Sequence, residues 1–124
     1  MKTSTWRNRR GMGRPQWTKA ELDRLVEEAT VDCYNESEQA CGLYTMIEEN
    51  LAMPFETQLL GVLVVVERVD LTARDEIVAV CRRGRDRQRI PLLDLPLPSP
   101  RPAGEEWIAA YRHWVHPGSK DVSA

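Results

Sequence analysis

A chain of 124 residues is long enough for one globular domain with a packed core. Apolar residues make up 42% of the chain and charged residues 29%, which excludes a composition typical of disordered proteins. The formal net charge of −2 excludes a strongly basic protein, and there is neither an apolar run of ~18 residues for a membrane span nor a secretion signal, so we expect a cytoplasmic protein.

The charges are unevenly distributed along the chain. Residues 1–19 carry six Lys or Arg and no acid, whereas residues 20–56 carry ten carboxylates against the single base Arg24. We expect residues 1–16 to form a disordered basic tail, residues 17–116 to form a single domain, and residues 117–124 to form a second disordered tail.

Two helices are predicted in the acidic half. Thr18 followed by Glu21 has the spacing of a capping box, and the apolar residues after it recur at helical spacing, which predicts a first helix over residues 19–34. Asn35 is placed to cap a second helix that has Glu38 at its third position.

The pattern becomes extended after residue 54. β-Branched runs at residues 62–66, 77–80 and 90–93 predict three or four strands, and their short connections make neighbouring strands antiparallel. The proline-rich residues 95–102 predict an extended connector, after which Glu105 and Glu106 mark the start of a C-terminal helix. We therefore expect an α+β fold in which two N-terminal helices and a C-terminal helix pack on a small antiparallel SH3-like β-barrel or twisted sheet.

The three cysteines are an odd number set in apolar-patterned segments. This arrangement favours reduced, buried thiols over a disulfide framework for Cys33, Cys41 and Cys81.

The carboxylates are the strongest functional signal. On a continuous helix Glu28, Asp32 and Glu36 would lie along one face, where like charges four residues apart cost roughly 0.2–0.5 kcal/mol per pair. A divalent cation would reverse this cost, and calcium suits such a cluster because it takes about 6–8 oxygen ligands in irregular geometry. The spacing leaves open the alternative of an ordinary solvated acidic face.

The candidate metal ligands are the carboxylates of the acidic helices: Asp32, Glu36, Glu38, Glu28, Glu48 and Glu49. The first three form the core of one predicted site, and the others are further ligands or a second site. The acids of the strands and turns are weaker candidates, which folding could bring close to the helices: Glu56, Glu67, Asp70 and Asp75. An EF-hand is excluded, because a loop starting at Asp32 would have Ser37 at its glycine position.

Several stretches resemble one known family. They are residues 32–39 (DCYNESEQ), 46–51 (MIEENL), 54–57 (PFET), 77–85 (IVAVCRRGR), 90–98 (IPLLDLPLP) and 106–114 (EWIAAYRHW). Over about residues 20–114 the chain is similar to the cyanobacterial calcium-binding protein family, often called CcbP. The resemblance implies that Ca2+ is bound without an EF-hand through acidic surface residues, in a bacterial calcium buffer or sensor.

An arginine-rich hairpin offers a rival function. The arginines concerned are Arg82, Arg83, Arg85, Arg87 and Arg89. Those at positions 83, 85, 87 and 89 would share one face and could hold phosphates, which defines the alternative of a small-barrel nucleic-acid or protein interaction module. The acidic balance of the chain favours pairing of these arginines with nearby acids. We therefore expect calcium ions and an unidentified protein as partners, with nucleic acid disfavoured and no membrane.

Enzymatic and zinc sites are not indicated. The sequence has no Ser-His-Asp pattern or phosphate-binding glycine loop, and a chain of this length leaves little room for a substrate cleft. His113 and His116 are three residues apart, but Pro117 follows at once and no Cys pair has zinc-ligand spacing. We expect a protein that is not an enzyme.

Overall fold

The computed structural model describes residues 17–117, so both predicted tails, apart from Pro117, lie outside the described residues. The elements in chain order are α1 (Lys19–Ala29), α2 (Glu36–Asn50), β1 (Phe55–Leu59), β2 (Val62–Leu71), β3 (Ile77–Arg83), β4 (Asp86–Pro91), a short 3-10 helix (Leu92–Asp94) and α3 (Glu105–Val115). The predicted α+β class is confirmed. None of the helices between residues 17 and 117 is long and apolar enough to cross a membrane.

The first helix begins as predicted but ends early. Thr18 Oγ1 accepts a hydrogen bond from the Glu21 amide at 3.1 Å, and Glu21 Oε1 accepts one from the Thr18 amide at 2.9 Å, which completes the capping box. The helix ends at Ala29, because Thr30 caps it and Asp32 takes a left-handed conformation with φ 68°. The prediction of one helix over residues 19–34 is therefore wrong.

The second helix begins at the predicted cap. Asn35 Oδ1 accepts a hydrogen bond from the Glu38 amide at 2.8 Å. From this start the helix runs for 15 residues and buries Ala40, Leu43 and Ile47. Leu43 and Ile47 belong to the hydrophobic core of the domain.

The sheet is antiparallel and open. Its strand order is β1-β2-β3-β4, so β1 and β4 are its two edges. The hairpin turns at residues 60–61 and 84–85 each contain a glycine with positive φ, Gly61 and Gly84. The exposed polar residues of β4, Asp86 to Arg89, do not suit a barrel wall packed on β1. The sheet therefore does not close into a barrel, and the SH3-like form of the prediction is not confirmed.

The core lies between one face of the sheet and the three helices. Its fully buried members include Leu43, Ile47, Val66, Ile77 and Leu92. The helix α3 is joined to the sheet by a hydrogen bond that the Ile77 amide donates to Tyr111 Oη at 3.1 Å. This packing leaves the connection between α1 and α2 at the surface.

The proline-rich connector runs along β1. Thr57 Oγ1 donates a hydrogen bond to the Pro96 carbonyl at 2.7 Å. A shallow groove beside this bond is lined by residues 56–58 and Leu63 of the hairpin and by residues 96–99 of the connector. The predicted extended connector over residues 95–102 is thus a strap held against the edge strand β1.

The cysteines occupy three different environments. Cys81 is buried in the sheet, Cys33 is half-buried and Cys41 is exposed, and all three are free thiols. The expectation of burial is confirmed for Cys81 and is wrong for Cys41, and the expectation of reduced thiols stays a prediction.

Candidate functional site

Residues 32–38, which lead from the end of α1 into the first turn of α2, carry three of the candidate ligands and are called here the acidic junction. Asp32, Glu36 and Glu38 are all exposed. Glu36 and Glu38 lie in the first turn of α2, where the partial positive charge of the helix N-terminus stabilises carboxylates. Local structure therefore explains how three negative charges are tolerated within seven residues.

Glu38 also helps to shape the junction. Its Oε1 accepts a hydrogen bond from the Tyr34 amide at 2.6 Å, while its own amide is bonded to Asn35. A carboxylate has about four acceptor sites on its two oxygens, so this bond leaves capacity for a cation. Glu38 thus fixes the chain before α2 and still offers oxygen to a ligand.

Folding brings a fourth acid, Asp75, to the acidic junction. Ser37 Oγ donates a hydrogen bond to Asp75 Oδ1 at 3.1 Å, and Asp75 lies in the turn between β2 and β3 with φ 65°. Asp75 was among the weaker candidates in the sequence. The Ser37 hydroxyl was not predicted as part of the site, because its contact is 38 residues away and leaves no local signal.

The helical face predicted from the spacing of Glu28, Asp32 and Glu36 does not exist. Glu28 lies in the last turn of α1, Asp32 lies beyond the helix end, and Glu36 begins a different helix. The repulsion argument from four-residue spacing therefore fails. Asp32 and Glu36 share the junction for a different reason, which is the tight connection between two helices.

Glu48 and Glu49 form a separate acidic area at the other end of α2. Ten residues separate Glu38 from Glu48, which places them roughly 15 Å apart along the helix axis. Ligands of one calcium ion lie about 2.3–2.6 Å from it, so the two ends of the helix do not share an ion. This distance argues against Glu48 and Glu49 as further ligands of the first site, and a second site at this end of the helix stays a prediction.

Tyr44 links this second area to the sheet. Its hydroxyl donates to Glu48 Oε2 at 3.2 Å and lies 3.5 Å from the Val69 carbonyl. Burial, together with the negative charges of Glu48 and Asp70, raises the pKa of Tyr44. The phenol therefore stays protonated and serves as a hydrogen-bond donor to Glu48.

The carboxylate oxygens of the acidic junction suit calcium, but in this structure they do not surround one position. Among residues 17–117, no three His, Cys, Asp or Glu side chains are already arranged to hold a metal ion. The acids of the junction are exposed, and Glu side chains can turn at low cost, so binding requires their convergence. That each of the six carboxylates named from the sequence is a calcium ligand stays a prediction.

The arginine-rich hairpin is largely neutralised by acids of β2. Glu67 accepts from Arg82 Nε at 2.7 Å and from Arg87 Nε at 2.8 Å. Arg89 pairs with Asp70 at 2.8 Å. Hydrogen bonds from Arg87 and then Arg82 lower the pKa of Glu67, so this carboxylate is held ionised by arginine and not by a metal.

The strand register also changes which arginines share a face. Arg82 pairs across the sheet with Arg87, and Val80 pairs with Arg89, so positions 82, 87 and 89 lie on one face. Arg83 lies on the opposite face. The predicted row of positions 83, 85, 87 and 89 is therefore wrong, and with it the phosphate-binding surface that it would have formed.

One comparison with known proteins gives a match over most of the described residues. A family model described as calcium binding, Calci_bind_CcbP, matches residues 23–115, which is three quarters of the 124-residue chain. The match includes the whole junction and the turn that holds Asp75. No curated protein and no solved structure matches the chain at a significant level.

Proposed function

Because this chain belongs to the CcbP family of calcium-binding proteins, whose ion is Ca2+, we propose that it is a calcium buffer or sensor, and not an enzyme, with its principal site at the acidic junction. Asp32, Glu36 and Glu38 would supply hard oxygen donors, and Asp75 would add a fourth carboxylate. The observation that supports this location is the hydrogen bond from Ser37 to Asp75, which joins two acidic segments that are distant in sequence.

The electrostatics of the junction favour this proposal over a purely structural role. Three carboxylates lie on one short segment, and a fourth is hydrogen-bonded to its Ser37. Carboxylates that converge to about 4 Å without an ion would repel one another by on the order of 1 kcal/mol per pair in water. A dication converts each repulsion into attraction. Glu67 and Asp70 do not compete for the ion, because arginines already neutralise them.

Buffering and sensing differ in how far the effect of calcium extends. In a sensor, convergence of the junction acids would move α1 relative to α2 or alter the turn at Asp75. In a buffer the change would stay within residues 32–38. Amide NMR spectra recorded with and without calcium distinguish the two roles. We propose a cytoplasmic location for either role, since the odd number of cysteines in the sequence does not suggest a disulfide framework.

The site is tested by isothermal titration of the full chain with CaCl2. In the triple variant Asp32→Asn/Glu36→Gln/Glu38→Gln we expect calcium affinity to fall at least tenfold, which corresponds to about 1.4 kcal/mol or more. Asparagine tolerates the left-handed backbone at position 32, and glutamine keeps the helix start, so the fold should be preserved.

The matched control is Glu48→Gln/Glu49→Gln, which removes two carboxylates from the far end of the same helix. Its affinity at the principal site should stay within a factor of about two of the wild type. Undiminished calcium heat in the triple variant, or a loss confined to the control, would contradict the proposed location. A parallel titration with MgCl2 measures selectivity.

A further inference from the structure

Cys33 packs on the part of α2 that carries Cys41. Cys33 Sγ lies 3.4 Å from the Glu38 carbonyl oxygen. Cys41 lies less than one turn along α2 from Glu38 and directly before Gly42, so its backbone belongs to the segment of helix that Cys33 touches. Within residues 17–117 the remaining cysteine, Cys81, is buried in the sheet.

The residue next to Cys41 makes room for this approach. Gly42 carries no side chain, and a Cβ placed on it would lie 3.6 Å from Cys33 Sγ. The same Cβ would overlap the Ala29 carbonyl oxygen, so the glycine allows the end of α1 and the start of the junction to lie directly on α2. The sulfur of Cys33 therefore lies over the segment of helix that runs from Glu38 to Gly42.

From this geometry we infer that Cys33 and Cys41 form a redox-active thiol pair that closes to an intramolecular disulfide. The two side chains are unequally accessible, because Cys41 is exposed and Cys33 is half-buried. Cys41 meets an oxidant from solvent first, and Cys33 lies behind it as the resolving thiol. Cys81 takes no part.

The oxidant is a peroxide, and hydrogen peroxide is the simplest member of the class. The sulfur of Cys41 attacks one peroxide oxygen, the O–O bond breaks, and a sulfenic acid and one water form. The sulfur of Cys33 then attacks the sulfenic sulfur, the S–O bond breaks, the S–S bond forms, and the hydroxyl leaves with the thiol proton as a second water. The peroxide gains two electrons and the thiol pair loses two.

The disulfide fastens the acidic junction to α2 by a covalent bond. In the reduced protein Cys33 touches the helix through its weak contact with the Glu38 carbonyl. In the oxidised protein the chain on both sides of Cys33 is held at Cys41, which restricts Asp32 and Tyr34. Closure requires rotation of the two side chains and movement of an exposed connection until the two Cα atoms lie about 4.4–6.8 Å apart.

The experiment uses the full chain in EGTA, so its outcome does not depend on where calcium binds. The protein is treated with hydrogen peroxide, the remaining thiols are alkylated with iodoacetamide, and the intact mass is measured. Of the three cysteines we expect the wild type to keep one alkylatable thiol, with loss of two hydrogens that dithiothreitol reverses. The matched control Cys81→Ala should form the same disulfide and keep no alkylatable thiol.

The single variants Cys33→Ser and Cys41→Ser should each fail to lose two hydrogens under the same treatment. The inference is overturned if the peroxide-treated wild type keeps both Cys33 and Cys41 alkylatable. It is also overturned if Cys41 only gains oxygen, or if oxidation yields a covalent dimer in place of the internal bond.

Discussion

Glu105 is a carboxylate buried at the start of α3. It is 8% exposed, and burial raises its pKa, although Arg101 lies 3.4 Å away and opposes the shift. For a carboxyl group with a raised folded pKa, the folded state binds more protons than the unfolded state. Its contribution to stability is therefore present at low pH and is lost as pH rises from about 4.5 through the folded pKa.

We expect Glu105→Gln to raise the free energy of unfolding at pH 7 and to reduce its decline between pH 5 and pH 7. Glutamine keeps the shape of the side chain and an oxygen for Arg101, while the buried charge is removed. Urea denaturation at the two pH values measures the effect. The control Glu106→Gln removes a neighbouring charge that is less buried, and it should keep the decline. An equal decline in wild type and Glu105→Gln would contradict the prediction.

For single residues, the sequence predicted local properties but not those that depend on tertiary packing. The position of Glu105 at a helix start was predicted, because charge preference at a helix N-terminus is a local property. The burial of Glu105 was not predicted, because it depends on how the connector and α3 pack against each other. The left-handed backbone of Asp32 and Asp75 was not predicted either, since this conformation is uncommon for every residue other than glycine, even though aspartate is enriched in it.

The packing of α1 on α2 depends on one glycine. A Cβ at Gly42 would overlap the Ala29 carbonyl oxygen, which is backbone and cannot turn aside. On an isolated helix, Gly→Ala gains up to about 1 kcal/mol from helix propensity. Overpacking at a close contact costs about 1–3 kcal/mol, so the steric term should exceed the propensity gain.

We therefore expect Gly42→Ala to lower the free energy of unfolding by about 1–2 kcal/mol after the propensity gain is offset. Urea denaturation in EGTA measures the change. Glu49→Ala is the matched control, because it places alanine at an exposed position of the same helix and should stay within about 0.5 kcal/mol of the wild type. A Gly42→Ala protein that is more stable than the wild type would contradict the prediction, because it would show that α1 and α2 move apart at little cost.

Helix starts were predictable and one helix end was not. The caps at Thr18 and Asn35 use side chains within three residues of their partners, so the sequence alone displays them. The end of α1 has no glycine or proline to mark it. It is fixed by Asp32 and by the close approach of Ala29 to Gly42, which are tertiary features.

The whole molecule should be stabilised by its ion through mass action. A ligand present at about 100 times its Kd adds about 2.7 kcal/mol to the free energy of unfolding, which raises Tm by several degrees for a domain of this size. We expect this rise when thermal unfolding in EGTA is compared with unfolding in excess CaCl2. The junction variant Asp32→Asn/Glu36→Gln/Glu38→Gln should lose most of it. Equal Tm values for the wild type in both solutions would contradict calcium binding by the folded state.

For the whole molecule, the sequence predicted which helices and strands are present better than it predicted the shape that they form. The order of helices and strands and their antiparallel pairing followed from periodicity and short connections, and the structure confirms them. The closed barrel did not follow, because closure depends on contacts between β1 and β4 that local patterns do not encode. The family match confirmed the ion, whereas the spacing argument for one helical face of acids failed.

The strap of residues 96–99 beside β1 has a consequence for molecules that meet in concentrated solution. An uncovered edge strand can recruit a strand from another copy, and such pairing leads toward aggregates. Prolines have no amide hydrogen, so Pro96 and Pro98 give an incoming strand little to bond with. At the other edge of the sheet, β4 carries exposed polar and charged side chains, among them Arg87 and Arg89, which are held in ion pairs with Glu67 and Asp70. In this way an open sheet can avoid pairing with the edge strands of another copy, which a closed barrel avoids by having no edge strands.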